Sequence, residues 1–139
     1  MELLHSTFTQ NAVLSYRWRF RLPPDFQPSK GFTHLHRLRR VGRGGLPLIA
    51  LTAAKNGRGD EKLQLRYFPP GRRQHSILQQ ADLAAFKGKW LKAEELLQFS
   101  EHGQYLLRLK DDSSGGILFT YRNEDINLWP GVELRPKWG

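Results

Sequence analysis

Apolar and polar residues alternate with a period of two along much of the chain. The first clear case is residues 14–22, LSYRWRFRL, which predict a β-strand with one apolar and one basic side. The apolar side comprises Tyr16, Trp18, Phe20 and Leu22, and the basic side comprises Arg17, Arg19 and Arg21. The basic side has two interpretations that the pattern leaves open. It is either a solvated outer face or the floor of a groove that holds anionic groups through bidentate hydrogen bonds.

Further segments give the same period. Residues 32–41, 46–54 and 62–68 predict strands, and residues 104–123 predict a hairpin around the turn DDSSGG. Residues 79–90 have room for one short helical turn, and residues 90–100 suit either a helix or a strand. Seven or eight short strands at this spacing predict an all-β fold, a single antiparallel β-sandwich.

The segment FTHLHRLR, residues 32–39, carries two histidines and two arginines. Strict alternation predicts that His34 and His36 share one face of the strand and that Arg37 and Arg39 share the other. Such a histidine pair suits metal ligation, acid–base chemistry or a solvated face. A lone His-x-His without acidic or cysteine partners is a weak metal signal, so we predict no metal site.

Composition and charge narrow the classes of partner. The 139 residues include 39% hydrophobic and 25% charged residues and no cysteine, which predicts one globular domain without disulfides. Lys and Arg number 22 against 13 Asp and Glu, a formal charge of +9. This excess favours polyanionic partners. The chain shows neither a signal-peptide pattern nor an apolar run of about 20 residues, so we expect no membrane partner.

Seven aromatic residues are predicted to lie mostly in the sandwich core, with a minority available to stack on sugars or bases. They are Trp18, Trp90, Tyr105, Phe119, Tyr121, Trp129 and Trp138.

Four stretches together resemble the heparin-lyase-like polysaccharide lyases. They are SYRWRFRLPPDFQPSKGFTHLHRL, LPLIALT, ADLAAFKGKWLKAEE and ILFTYRNEDINLWPGVELRPKWG, and the similarity runs from about Tyr16 to Gly139. The most specific pieces are FTHLH and the terminal RPKWG. The family pattern also has a strand with an Arg-x-x-Glu-type motif and a tyrosine after the Lys-x-Gly stretch. This chain shows neither, so we expect residues 1–139 to be one domain that lacks a strand at each end.

The resemblance implies a concanavalin A-like β-jelly-roll that cleaves a uronic-acid-containing polysaccharide by β-elimination without a cofactor. It implies catalytic roles for His36, as base or carboxylate neutraliser, and for His34 as its companion. Lys137, Arg17, Arg19 and Arg66 are the substrate-binding residues on this hypothesis. The implied setting is extracellular or periplasmic, which the missing signal peptide does not support, and localisation and oligomeric state stay open.

Two other functions remain as alternatives. One is a non-catalytic carbohydrate-binding module of the same fold, so enzymatic activity is itself an open question. The other, less favoured, is a basic nucleic-acid-binding β-domain, because basic strands with interleaved aromatic residues are its general footprint.

Overall fold

The structure, a computed structural model, describes residues 10–42 and 46–138. Within these residues nine strands and one short 3₁₀ turn, Leu83–Phe86, follow one another. The strands are β1 Val13–Arg21, β2 Phe32–Arg40, β3 Ile49–Lys55, β4 Glu61–Tyr67, β5 Ser76–Asp82, β6 Trp90–Gln98, β7 Gly103–Asp111, β8 Ile117–Ile126 and β9 Leu134–Trp138. The fold is therefore the predicted all-β class, and the 3₁₀ turn confirms the short helical turn expected within residues 79–90.

Two antiparallel sheets make up the sandwich, in an arrangement consistent with a jelly roll. One sheet has four strands in the order β1-β6-β7-β8, and the other has five in the order β5-β4-β3-β2-β9. Strands β2 to β5 are neighbours in sequence and in space, whereas β9 returns to pair with β2. Consequently β2 lies between a strand close to it in sequence and one from the end of the chain.

The core between the sheets is built from alternate residues of each strand. In β6, for example, Leu91, Ala93 and Leu97 are fully buried and join the core cluster. The segment 90–100 therefore holds a strand, over Trp90–Gln98, and not a helix. The period-two burial decides the matter despite the helix-forming Ala, Lys and Glu in this segment, because tertiary packing outweighs intrinsic propensity. Glu95 occupies one of the inward positions and is only 2% exposed.

Strand β3 is the middle strand of the five-stranded sheet and is buried on both faces. Ile49, Leu51 and Ala53 join the core. Ala50, Thr52 and Ala54 point to the opposite, outer side and are also buried. Since no second layer of described strands covers that side, the larger side chains of β2 and β4 must shield these three small residues.

An irregularity in β2 changes which residues share a face. His34 pairs with Thr52 and His36 pairs with Leu51. The two histidines are two positions apart in β2, whereas their partners are adjacent in β3. This is a β-bulge at Leu35, which inserts one extra residue and shifts the alternation. His34 therefore lies on the outer face beside Thr52, and His36 lies on the core face beside Leu51. The prediction that the two histidines share a face is wrong.

Strand β5 follows the PPGRR turn and was not expected as a strand. Its residues SILQQAD alternate poorly and are mostly exposed, because β5 is an edge strand that packs only its Leu78 and Ala81 against the core. Among the residues described, no helix is long and apolar enough to cross a membrane.

Candidate functional site

The outer face of the five-stranded sheet carries a cluster of positive charges, which we call the basic face. Its charged members on β2, β4 and β9 are Arg37, Arg39, Arg66, Arg135 and Lys137, and His34 lies among them. Strand pairing places them together, because Arg37 lies opposite both Ala50 and Lys137, Arg66 lies opposite Ala50, and Arg39 lies opposite Arg135. Paired residues of neighbouring strands point to the same side of a sheet.

The middle of the basic face, along β3, carries only small side chains, and we call this strip the trough. Its floor is the outward side of β3, formed by Ala50, Thr52 and Ala54, and longer side chains of β2 and β4 stand on its two sides. Arg37 and Arg66 flank Ala50 from the two neighbouring strands, which places their Cα atoms about 10 Å apart, twice the spacing of adjacent strands. Ala50, Thr52 and Ala54 are at most 8% exposed, so the longer side chains cover the strip, and Arg37 and Arg66 themselves form the outer surface here.

Polar groups without charge continue the trough beside the arginines. Arg66 Nε donates a hydrogen bond to Gln64 Oε1 at 3.0 Å, and Gln64 Nε2 donates to Gln80 Oε1 at 3.2 Å. The Arg66 guanidinium also lies 5.1 Å from the ring centroid of Phe32, a cation–π contact. These contacts hold Arg66 in place and leave its other N–H groups available, since a guanidinium has five.

His34 lies next to Thr52 within the trough. Its Nδ1 is 2.7 Å from Thr52 Oγ1, and its ring centroid is 4.9 Å from that of Phe32. Burial lowers the pKa of His34 from 6.5 to about 4, and the charges of Arg37, Arg66 and His75 act in the same direction. The imidazole is therefore neutral near pH 7, and one ring nitrogen can accept a proton or a hydrogen bond.

The cations of the basic face have no acidic partner among the residues described. None of Arg37, Arg39, Arg66, Arg135 and Lys137 forms an ion pair with a described carboxylate. Like charges clustered without partners repel one another, and a bound anion would relieve that repulsion.

On the opposite side of the sandwich, by contrast, basic residues have acidic partners. Arg17 and Arg19 project from β1 on the outer face of the four-stranded sheet, where Arg17 Nε lies 4.0 Å from Glu94 Oε2 and Arg19 pairs with Asp112. Lys110 Nζ lies 2.6 Å from the other oxygen of Glu94. The hydrogen bond from Lys110 lowers the pKa of Glu94, so this carboxyl is charged. The local charge balance fits the solvated-face interpretation of the β1 arginines.

His36 belongs to a buried polar network between the two sheets. Its Nε2 lies 2.9 Å from Glu95 Oε1, and the hydroxyl of Tyr105 donates to the other oxygen of Glu95. Its Nδ1 lies 3.1 Å from the backbone oxygen of Lys137. Because a carbonyl oxygen only accepts, Nδ1 must carry a hydrogen. His36 and Glu95 therefore share one further proton, which sits either on Nε2 or on the carboxyl oxygen.

Two tryptophans enclose this network. The His36 ring stacks on Trp138 with centroids 4.8 Å apart, and Trp18 lies 4.4 Å from it on another side. With 3% of its surface exposed, His36 cannot touch a polymer bound on the outer face. It instead holds the backbone of β9 at the residue whose side chain reaches the basic face.

Of the six predicted site residues, the structure brings three together. His34, Arg66 and Lys137 share the basic face, His36 lies beneath it in the core, and Arg17 and Arg19 lie on the far side of the sandwich. Sequence reasoning missed Arg37, because strict alternation placed it on the other face of the strand from His34. The bulge at Leu35 brings the two residues to one side, and no local signal in FTHLHRLR marks that bulge.

Two further observations concern candidate chemistry and aromatic residues. No group of three or more His, Asp or Glu residues within the described chain is arranged to hold a metal ion.

Tyr105 and Phe119 are core residues as expected, and Trp18, Tyr121 and Trp129 pack against the core. Trp90 is an exception, 51% exposed beneath the Arg19 guanidinium.

Comparison of the chain with protein-family models, with curated proteins and with solved structures found no match. The resemblance to polysaccharide lyases therefore stays a prediction from the sequence.

Proposed function

We propose that this protein binds an acidic polysaccharide along the trough of the basic face. The observation that carries the proposal is the group of cations around Ala50, Lys137 and Arg37 on one side and Arg66 on the other, none of them paired with a described carboxylate. Guanidinium groups bind carboxylates and sulfates through two parallel hydrogen bonds. The overall charge of +9 would further raise the rate at which a polyanion arrives.

The surroundings of the arginines favour a sugar polymer over a nucleic acid. Gln64 and Gln80 supply neutral donors and acceptors that match sugar hydroxyl groups. Single-stranded nucleic acids are held largely by bases stacked on exposed aromatic rings. On this face the ring beside the trough is Phe32, and the Arg66 guanidinium already lies over it.

Cleavage by β-elimination is a second candidate function, and the position of His34 favours it. Elimination requires a positive group at the substrate carboxylate, a base for the neighbouring carbon-bound proton and a proton for the leaving oxygen. Arg37 and Arg66 suit the first role and neutral His34 the second. A pKa near 4 makes His34 a weak base, so binding is better supported than catalysis.

The test uses polygalacturonate, heparin and a neutral dextran, each titrated against the protein at several salt concentrations. We expect the two acidic polymers to bind and dextran not to bind. The double variant Arg37→Gln/Arg66→Gln should lower the slope of log affinity against log salt by about 1 to 2, since each cation that contacts a polyanion contributes about 0.7–0.9. The matched control Arg17→Gln/Arg108→Gln removes two charges from the opposite sheet and should leave the slope nearly unchanged.

Absorbance of the conjugated double bond, followed with the same polymers, separates the two functions. A rise that is lost in His34→Ala supports a lyase, and binding without a rise supports a binding module. Equal loss of affinity in the two double variants would contradict the assignment to the basic face. Tighter binding to single-stranded DNA than to either acidic polymer at matched salt would contradict the choice of ligand.

A further inference from the structure

His34 and His75 are two imidazoles that both lie close enough to Arg66 for its positive charge to lower their pKa values. His75 belongs to the loop between β4 and β5 and packs its ring 5.4 Å from that of Phe68. The titratable groups that lower the pKa of His34 come from three elements: Arg37 of β2, Arg66 of β4 and His75 of the loop. Strand β3 contributes only the neutral Thr52 at this point. Lys62, one row further along the sheet, is held 2.5 Å from Asp82.

Both imidazoles are unprotonated in the free protein near neutrality. Burial lowers the pKa of His75, and the charge of Arg66 adds to the effect. His34 is affected in the same way, with a pKa of about 4. Burial is the larger cause for both rings, and the neighbouring cations add to it, because an additional proton at either ring would join positive charges that no described carboxylate offsets.

We propose that an anionic polymer bound on the basic face promotes protonation of His34 and His75, so that the protein binds such polymers more tightly as the solution becomes acidic. This inference rests on the proposed function and adds its regulation. Sulfate or carboxylate groups beside Arg37 and Arg66 would reverse the sign of the local field at the two rings. By linkage, whatever favours the proton on the bound protein also favours binding in the presence of that proton.

The direction of the pH effect on affinity, and the pH range in which it acts, follow from a comparison of the free and the polymer-bound protein. Above about pH 7 both rings are neutral whether or not polymer is bound, and affinity does not depend on these protons. As the pH falls, the bound protein takes up protons first, and each histidine can contribute up to tenfold in affinity per pH unit. Below about pH 4, where His34 is protonated in the free protein as well, its contribution reaches a plateau.

Dextran sulfate is the probe, because its sulfate esters remain ionised over the whole range. Its affinity is measured by titration calorimetry at pH 7.5, 6 and 5 at constant salt, in two buffers of different ionisation enthalpy. We expect affinity to rise between pH 7.5 and 5, by up to roughly 25-fold if polymer raises the pKa of His34 from about 4 to the ordinary histidine value of about 6.5. The difference in heat between buffers should show net proton uptake at pH 5.

Variants assign the protons to the two rings. His34→Asn/His75→Asn should flatten the dependence on pH, each protein being compared with its own affinity at pH 7.5. His102→Asn is the matched control, because His102 is exposed on the other sheet, 3.0 Å from Asp125, and its loss should leave the dependence intact.

Each outcome bears on a separate claim. Binding at pH 7.5 with no gain in affinity at pH 5 would overturn the coupling and leave the proposed function standing. A gain that persists in the double variant, or disappears in His102→Asn, would overturn the assignment to His34 and His75. Failure to bind dextran sulfate and the uronate polymers at every pH would overturn the proposed function itself.

Discussion

Replacing Glu95 by alanine tests the buried network between the sheets. Glu95 is 2% exposed, and both of its carboxyl oxygens form hydrogen bonds, one with His36 Nε2 and the other with the hydroxyl of Tyr105. In Glu95→Ala both partners lose these bonds inside the core. We therefore expect this single substitution to be among the most destabilising in the protein.

The magnitude follows from the number of buried groups affected. A buried polar group that loses its partner costs about 1–3 kcal/mol, and breaking a buried charge pair from one side costs about 3–5 kcal/mol. With two groups affected, the free energy of unfolding should fall by about 3–5 kcal/mol. For a chain of 139 residues, each kcal/mol lowers the melting temperature by roughly 3–5 °C, so the total decrease is roughly 10–20 °C.

The isosteric variant Glu95→Gln should be far milder. Its amide oxygen can accept from Tyr105, and its amide N–H can donate to Nε2 of a neutral His36 whose Nδ1–H bonds to the Lys137 carbonyl. We expect a loss of about 1 kcal/mol or less. The control is Glu94→Gln, whose carboxylate faces outward to Lys110 and Arg17 and should cost at most about 1 kcal/mol.

Urea unfolding at pH 7, monitored by tryptophan fluorescence, gives all three values. If Glu95→Gln destabilises the protein as much as Glu95→Ala, the network depends on the charge of Glu95, and hydrogen-bond matching is the wrong explanation. If Glu95→Ala costs less than about 1 kcal/mol, the burial of the network is wrong.

Two further predictions concern stability. His34 is half-exposed and its pKa falls to about 4 on folding. As the pH drops from 6.5 to 4, the unfolded chain therefore takes up a proton at this residue before the folded protein does. The free energy of unfolding should fall by about 1–2 kcal/mol over this range, after allowance for solvent screening. Urea unfolding of His34→Asn should not show this decrease. A Cβ at Gly103 would lie 2.2 Å from the backbone oxygen of Gln98, whereas one at Gly57 meets nothing within 4 Å. Gly103→Ala should therefore lower the free energy of unfolding by about 2 kcal/mol or more, and Gly57→Ala should change it by less than about 1 kcal/mol; a large loss at Gly57 would contradict this account.

Local patterns sufficed for most strands and failed where distant contacts decide the structure. The alternation in β1 predicted that Trp18 and Phe20 face the core, and both pack against it. The helix-or-strand choice for β6 stayed open because Ala, Lys and Glu favour helices on their own. Only the facing sheet, which buries every second residue including Glu95, decides for a strand.

The candidate site was harder to predict for two physical reasons. The bulge at Leu35 results from the pairing of β2 with β3, which no property of Phe32–Leu38 reveals by itself. The partner of His36 is Glu95, 59 residues away, and both appear polar in a sequence that gives no reason to bury them. The resemblance named Arg66, Lys137, Arg17 and Arg19 together, and only the strand order shows that the first two share a sheet face and that the other two lie on the second sheet.

Because of the bulge at Leu35, substitutions at His34 and His36 have different consequences although the two residues are only two positions apart. A substitution at His36 alters an interior network and is judged by whether the chain folds. A substitution at His34 leaves that interior untouched and is judged by what the outer surface binds. Deleting Leu35 would remove the bulge and leave both histidines on their present faces, because they would then be neighbours opposite the adjacent residues Thr52 and Leu51. The extra residue is therefore what turns a His-x-His pair, which strict alternation would place on one face, into one interior and one surface histidine.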